Sequence, residues 1–156
     1  GGGLMAGDTF EVPVGPGGGL AAATAALARR LEWAVDDPGA TAVFVSVVGV
    51  PKRFTQCLVH AERGAWVECV SNEFLDGDLC LTQLDEELLV AAGFNRPGDF
   101  SPNFHLVIEP PVDWARVALL LGAPFATVFL CEEHDRLEVR IRPEFPLAGD
   151  DEGDWA

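Results

Sequence analysis

The stretch Trp66-Val67-Glu68-Cys69-Val70-Ser71-Asn72-Glu73-Phe74-Leu75 sets how this chain is read. Residues 66–71 predict a strand, because alternation sends Val67 and Cys69 to one face and Trp66, Glu68 and Val70 to the other. Asn72-Glu73 makes a polar corner, and Phe74-Leu75 an apolar latch after it. If helices cover the Val67/Cys69 face, Trp66 and Val70 project from the opposite one, where exposed apolar surface marks a partner site.

Upstream, residues 41–48 (Thr-Ala-Val-Phe-Val-Ser-Val-Val) are almost all apolar or β-branched, as a central strand covered on both faces requires. Residues 54–61 predict a second strand, closed by the turn Glu62-Arg63-Gly64. With the strand from Trp66 these form an antiparallel meander. Downstream, Thr82 predicts a helix N-cap with Asp85 in the reciprocal capping position. Leu84, Leu88 and Leu89 give that helix an apolar face, and Gly93 a left-handed C-cap that returns Phe94 onto Leu89. Residues 104–108 predict a further strand with Phe104, Leu106 and Ile108 inward and His105 at the surface. Asp113 caps a helix over residues 114–121, which Gly122-Ala123-Pro124 interrupts. Residues 137–142 alternate cleanly, with Leu137, Val139 and Ile141 inward and Glu138, Arg140 and Arg142 in water.

Ahead of the meander, the alanine-rich residues 20–35 predict an amphipathic helix on Leu20, Leu27, Leu31 and Ala34, with Trp33 in the core. The organisation expected is a flexible Gly/Pro-rich lead-in over residues 1–19, one domain over 20–146 and an acidic tail over 147–156. The tail is read as a free end; the alternative is that Trp155 folds back into the chain's own groove. The fold class is α+β, with an antiparallel sheet of about five strands, an N-terminal helix and two further helices.

A chain of 156 residues with 49% hydrophobic content holds a real core and fits one domain. No apolar run is long enough for a transmembrane helix. The net charge of −15 disfavours nucleic acid and anionic membranes as partners, and suits an apolar or basic one. Gly1-Gly2-Gly3-Leu4-Met5 lacks the layout of a signal peptide, so a cytoplasmic address is expected, with Cys57, Cys69, Cys80 and Cys131 reduced.

Candidate chemistry is sparse. Cys57-Leu58-Val59-His60 and Cys131-Glu132-Glu133-His134 invite a Cys₂His₂ zinc reading, but strand residues three apart face opposite sides, so no metal is expected. Gly15-Pro16-Gly17-Gly18-Gly19 precedes a helix, yet it follows no strand and lacks the Lys-Ser/Thr ending of a phosphate loop. The acidic tail lacks calcium-loop spacing, and no carboxylate pair or Cys–His pair is singled out for catalysis. No cofactor is expected.

The decamer, then residues 84–94 ending in Gly93-Phe94, then Pro102-Asn103-Phe104, then the helix from Asp113, resemble the TY-Chap domain, a group related to type III secretion chaperones and YbjN-like proteins. The similarity spans roughly residues 20–130 and is strongest at Ser71-Asn72-Glu73-Phe74-Leu75. Members continue the last helix where this chain has Gly122-Ala123-Pro124. The resemblance implies a non-enzymatic, peptide-binding, chaperone-like role and a possible homodimer, with no active-site residues to carry over. The expected partner is a protein or peptide docking on Trp66, Val70, Phe74 and Trp114, with basic residues flanking an apolar anchor. The alternative is an acidic inhibitor or immunity-type protein that blocks a basic site on a toxin or nuclease.

Overall fold

The computed structural model describes residues 8–13, 24–25, 27–29, 31–32, 40–60, 62–132 and 134–144. The strands are β1 (Asp8–Pro13), β2 (Ala40–Val47), β3 (Val50–His60), β4 (Gly64–Cys69), β5 (Phe104–Ile108) and β6 (Arg136–Glu144). The helices α1 (Gln83–Ala92) and α2 (Trp114–Thr127) flank β5 in sequence, and residues 24–25, 27–29 and 31–32 are also helical. The strands form one sheet in the order β1-β6-β2-β3-β4-β5, every neighbour antiparallel. The fold is α+β, and β2-β3-β4 is the meander expected from the sequence.

The sixth strand was not expected. β1 falls inside residues 1–19, read as a lead-in, yet it pairs along β6 from Asp8↔Ile141 to Pro13↔Arg136. Thr9 and Glu11 alternate with Phe10 and Val12, a pattern short enough to be lost among glycines, and an edge position tolerates Pro13.

Register separates the two faces. Val45, Thr55, Cys69 and Phe104 align across four strands, as do Val43, Cys57, Val67 and Leu106. These rows form the covered face, on which Val43, Val59, Val67 and Phe104 are fully buried with Val117, Leu121 and Phe125 of α2. α2 packs on β3 and β4, and α1 packs on α2. Leu27 and Leu31 of the N-terminal helical residues join the same core, while Leu20, Trp33 and Ala34 lie outside the described residues.

The helix ends follow the sequence. Thr82 and Asp85 form a reciprocal capping box, and Gly93 at φ 118° lets its own N–H and that of Phe94 return to Val90 and Leu89. Asp113 accepts from the backbone N–H groups of Ala115 and Arg116. The predicted break is corrected: α2 runs unbroken through Gly122-Ala123-Pro124. Pro124 has no N–H to offer the Leu120 carbonyl one turn back; the adjacent Leu121 carbonyl accepts from the buried Thr55 hydroxyl at 2.7 Å. Gly122 is needed for close packing, since a Cβ on it would run into Cγ2 of Thr24. The apolar face read on α1 is also corrected, because only Leu89 is buried while Leu84 and Leu88 are 64% and 38% exposed.

Candidate functional site

Trp66 and Glu68 leave β4 on the face that no described helix covers, beside His105 and Val107 of β5 and Gln56 and Leu58 of β3. Glu68 is an acid set between the buried Val67 and Cys69, so it must find donors on its own side. Gln56 Nε2 donates to Oε1 at 2.7 Å and Asn103 Nδ2 at 3.2 Å; Trp66 Nε1 and Ser101 Oγ each donate to Oε2 at 2.7 Å. A carboxylate has about four lone-pair sites, so these donors fill it. Burial by itself would raise the Glu68 carboxyl, but the bonds from Ser101, Trp66, Gln56 and Asn103 outweigh it and hold the group below its ordinary value. Glu68 is thus an ionised anchor rather than a proton donor.

The anchor ties the decamer to the loop before β5. Asn103 Oδ1 accepts from the Ser71 N–H at 3.2 Å, and Ser71 Oγ donates to the Pro102 carbonyl at 2.6 Å. Asn72 clamps the next turn: its Oδ1 accepts from Leu81 N–H at 2.6 Å and its Nδ2 donates to the Leu81 carbonyl at 3.0 Å. The polar residues of Ser71-Asn72 and Pro102-Asn103 therefore serve the backbone. They also set the Trp66 ring, whose indole N–H is held by Glu68 and which stacks on His105 at 5.8 Å between centroids and 11° between planes.

His105 corrects the sequence reading. It is buried, not at the surface, because Trp66 covers its ring and Asn95 pairs with its backbone, N–H to carbonyl in both directions. Its Nδ1 lies 3.0 Å from the Asn103 carbonyl. Alternation alone puts it on the uncovered face; the loop that closes over it is a tertiary contact. The role of Glu68 was also missed, although an acid inside an otherwise apolar strand followed by Ser-Pro-Asn before the next strand was the available signal.

The expected partner residues stand apart. Trp66 is half-buried on the uncovered face. Val70 is fully buried in the core, because the chain leaves the strand after Cys69 and the Val70 N–H turns to the Phe54 carbonyl at 3.1 Å. It has no surface of its own to offer. Phe74 is 45% exposed at the corner. Trp114 opens α2 and packs half-buried against the core. On the uncovered face, the neighbour of Trp66 is Val107, 40% exposed on the edge strand β5.

The cysteine–histidine pairs do not converge. Cys57 is on the core face and His60, by alternation, on the other. His134 is exposed, its ring 3.7 Å from carboxylate oxygens of Glu132 and of Asp135. Among the described residues no group of three or more His, Cys, Asp or Glu is placed to hold a metal ion. No described helix is long and apolar enough to cross a membrane. Gly15–Gly19 and the acidic tail lie outside the described residues.

One family matches over residues 19–142, TY-Chap3, described as T3SS (YopN, CesT) and YbjN peptide-binding chaperone 3. No curated protein and no solved structure matches the chain. The match contains the decamer, the Asn103 loop and both named helices, and it excludes β1 and the tail.

Proposed function

The chain belongs to the TY-Chap3 family of peptide-binding chaperones, and on that basis we propose that it is a non-enzymatic domain that binds an extended protein or peptide segment through an apolar surface centred on Trp66. The observation that carries this reading is the way Trp66 is held. Its ring is fixed by Glu68 and His105 on a sheet face without a described helix, next to the exposed Val107 on an edge strand. A pre-set aromatic loses little freedom on binding, and such residues dominate interface energies. The outer edge of β5 is already paired with Asn95 at His105, so the contact rests on side chains and on the stretch of β5 beyond that pair. Phe74, exposed at the corner, and Trp114, half-buried at the start of α2, are separate candidate contacts away from this face, and Val70 is sealed in the core.

The net charge of −15 favours partners with basic residues beside their apolar anchor and disfavours nucleic acid and anionic membranes. The homodimer contact in this reading is α1, where Leu84 is largely and Leu88 partly exposed.

The test is selection of a random displayed-peptide library on the immobilised full chain in reducing buffer. Enrichment of peptides with an apolar anchor and basic neighbours is expected. Their affinity should fall about tenfold or more in Trp66→Ala, with unchanged circular dichroism. No enriched peptide, or peptides indifferent to Trp66, Phe74 and Trp114 substitutions, overturns the reading.

A further inference from the structure

β1 fills a place that the rest of the sheet leaves open. The family match over residues 19–142 takes in β2 to β5, both named helices and β6 as far as Arg142, and it leaves β1 out. Without β1, β6 has one neighbour, β2, and is the edge of the sheet. β1 pairs with residues 136–141 of that nine-residue strand and has no described residue against 142–144. An open strand edge offers a row of main-chain donors and acceptors to an extended segment. In sequence, residues 15–19, between β1 and the matched unit, are four glycines and a proline.

The fit of β1 to β6 is imperfect. The pairs include Thr9↔Arg140, Glu11↔Glu138 and Pro13↔Arg136. Like charges therefore stand directly opposite at Glu11↔Glu138, an arrangement that weakens a strand pair. Each acid turns aside to an arginine: Glu11 Oε1 lies 2.6 Å from Arg136 Nε, and Glu138 Oε1 lies 3.6 Å from Arg140 Nε. The Glu11–Arg136 pair is about half exposed, so it contributes little and is screened by salt. Pro13 brings no N–H to the ladder. By alternation, β6 presents Arg136, Arg140 and Arg142 against Glu138 and Glu144 on one face, three bases to two acids.

We propose that the β6 edge is a second peptide-binding site, that β1 is its resident occupant, and that an extended partner segment with a carboxylate in the place of Glu11 displaces it. The carboxylate is called for by Arg136, whose one ion pair among the described residues is to Glu11. The residues on either side of it must be apolar, because that register sets them opposite Val139 and Leu137, both buried. A segment longer than six residues gains pairing along 142–144 that β1 does not make, and a second acid there meets the exposed Arg142. Being tethered, β1 competes at an effective concentration on the order of millimolar. Displacement therefore takes a segment that pairs better than β1, rather than one that only matches it. β6 lies three strands from β4, so this site does not depend on Trp66.

The probe is a synthetic peptide of residues 7–14, and the host is the full chain carrying Thr9→Pro and Phe10→Pro. Adjacent strand residues point their N–H groups to opposite sides, so one of the two prolines removes a bond to β6. Amide exchange over residues 137–141, followed by nuclear magnetic resonance, should quicken about tenfold or more in this host. The peptide at about millimolar concentration should restore the protection. The peptide with Glu11→Lys should bind less well, and should recover in a host that also carries Arg136→Glu. Selection of a displayed-peptide library on the double-proline host should return alternating sequences with an acid at that place. A selected peptide, added in excess to the unmodified chain, should speed exchange of the β1 amides. Trp66→Ala should leave all of this unchanged, so failure here and failure of the Trp66 reading are told apart. If the double-proline host does not fold, Glu11→Arg serves in its place, since it sets a guanidinium on the diagonals to Arg136 and Arg140. A peptide that does not restore protection, or one indifferent to Glu11→Lys, overturns the proposal. So do β1 amides that stay protected under excess selected peptide, which would make β1 a fixed cover of the edge.

Discussion

Glu68 concentrates four side-chain hydrogen bonds from three separate segments of the chain on one carboxylate. Glu68→Gln keeps the shape but removes the charge and turns one acceptor into a donor facing donors. A loss of about 2–3 kcal/mol in urea unfolding at neutral pH is expected, in line with hydrogen bonds to charged groups. The pH dependence has a definite sign. The folded carboxyl titrates below its ordinary value of 4.5, so its contribution is complete above that pH and disappears as pH falls through the lower folded value. The gap between the unmodified chain and Glu68→Gln should therefore close on acidification below 4.5, through the lower folded value; a gap that stays constant would mean the carboxylate charge contributes nothing. The thiols offer a second residue-scale check. Burial pushes Cys57 and Cys69 well up, and burial with the nearby Asp135 carboxylate pushes Cys131 up to about 11, against the opposing pull of Arg53. Cys80 is exposed. Under a thiol reagent at mildly alkaline pH, Cys80 should label first, Cys131 slowly, and Cys57 and Cys69 only on unfolding; early labelling of Cys57 would contradict its place in the core.

At the scale of elements, α2 runs continuously through Gly122 and Pro124, with β3 and the N-terminal helical residues packed close to it there. Thr55 of β3 takes the Leu121 carbonyl near Pro124, and Thr24 lies against the bare Cα of Gly122. Gly122→Ala should improve helix propensity yet destabilise the protein by about 1–3 kcal/mol, because overpacking outweighs propensity. Thr24→Ser removes the methyl that the new Cβ meets, so the double variant should recover most of the loss in thermal unfolding. Additive losses would show that the helix contact is not responsible. α1 illustrates the opposite case. Its capping box and left-handed glycine were legible residue by residue, but the side on which it is buried was not, because Leu84, Leu88 and Leu89 are equally apolar and only packing against α2 selects Leu89.

For the molecule as a whole, the two sides of the sheet have different fates. One is filled by α2 and the N-terminal helical residues; the other carries Trp66 and the Glu68 anchor. The exposed leucines of α1 belong to neither. If α1 mediates self-association, Leu84→Glu should convert a dimer to monomer in sedimentation equilibrium and leave the unfolding midpoint of the monomer nearly unchanged, since Leu84 is 64% exposed. A chain that is monomeric before substitution removes the homodimer from the proposal. The match over residues 19–142 leaves β1 and the residues after 142 outside it.

Alternation, capping and turn chemistry act between neighbours in the chain, so the amino-acid order was enough to establish the period of each strand from β2 to β6, both helix caps, the meander and the family pattern of Ser71-Asn72 with Pro102-Asn103. It also placed Trp66 opposite Val67 and Cys69, which is geometry internal to one strand. Only three-dimensional packing settled that Val70 is sealed, that His105 is covered, that α2 survives Pro124, and that β1 pairs with β6. The partners lie many residues away: Phe54 for Val70, Trp66 for His105, and Ile141 for Asp8. Local rules count the groups a residue carries; they do not say which distant group will reach it, and that is what separates a half-buried tryptophan on an open face from a valine locked in the core.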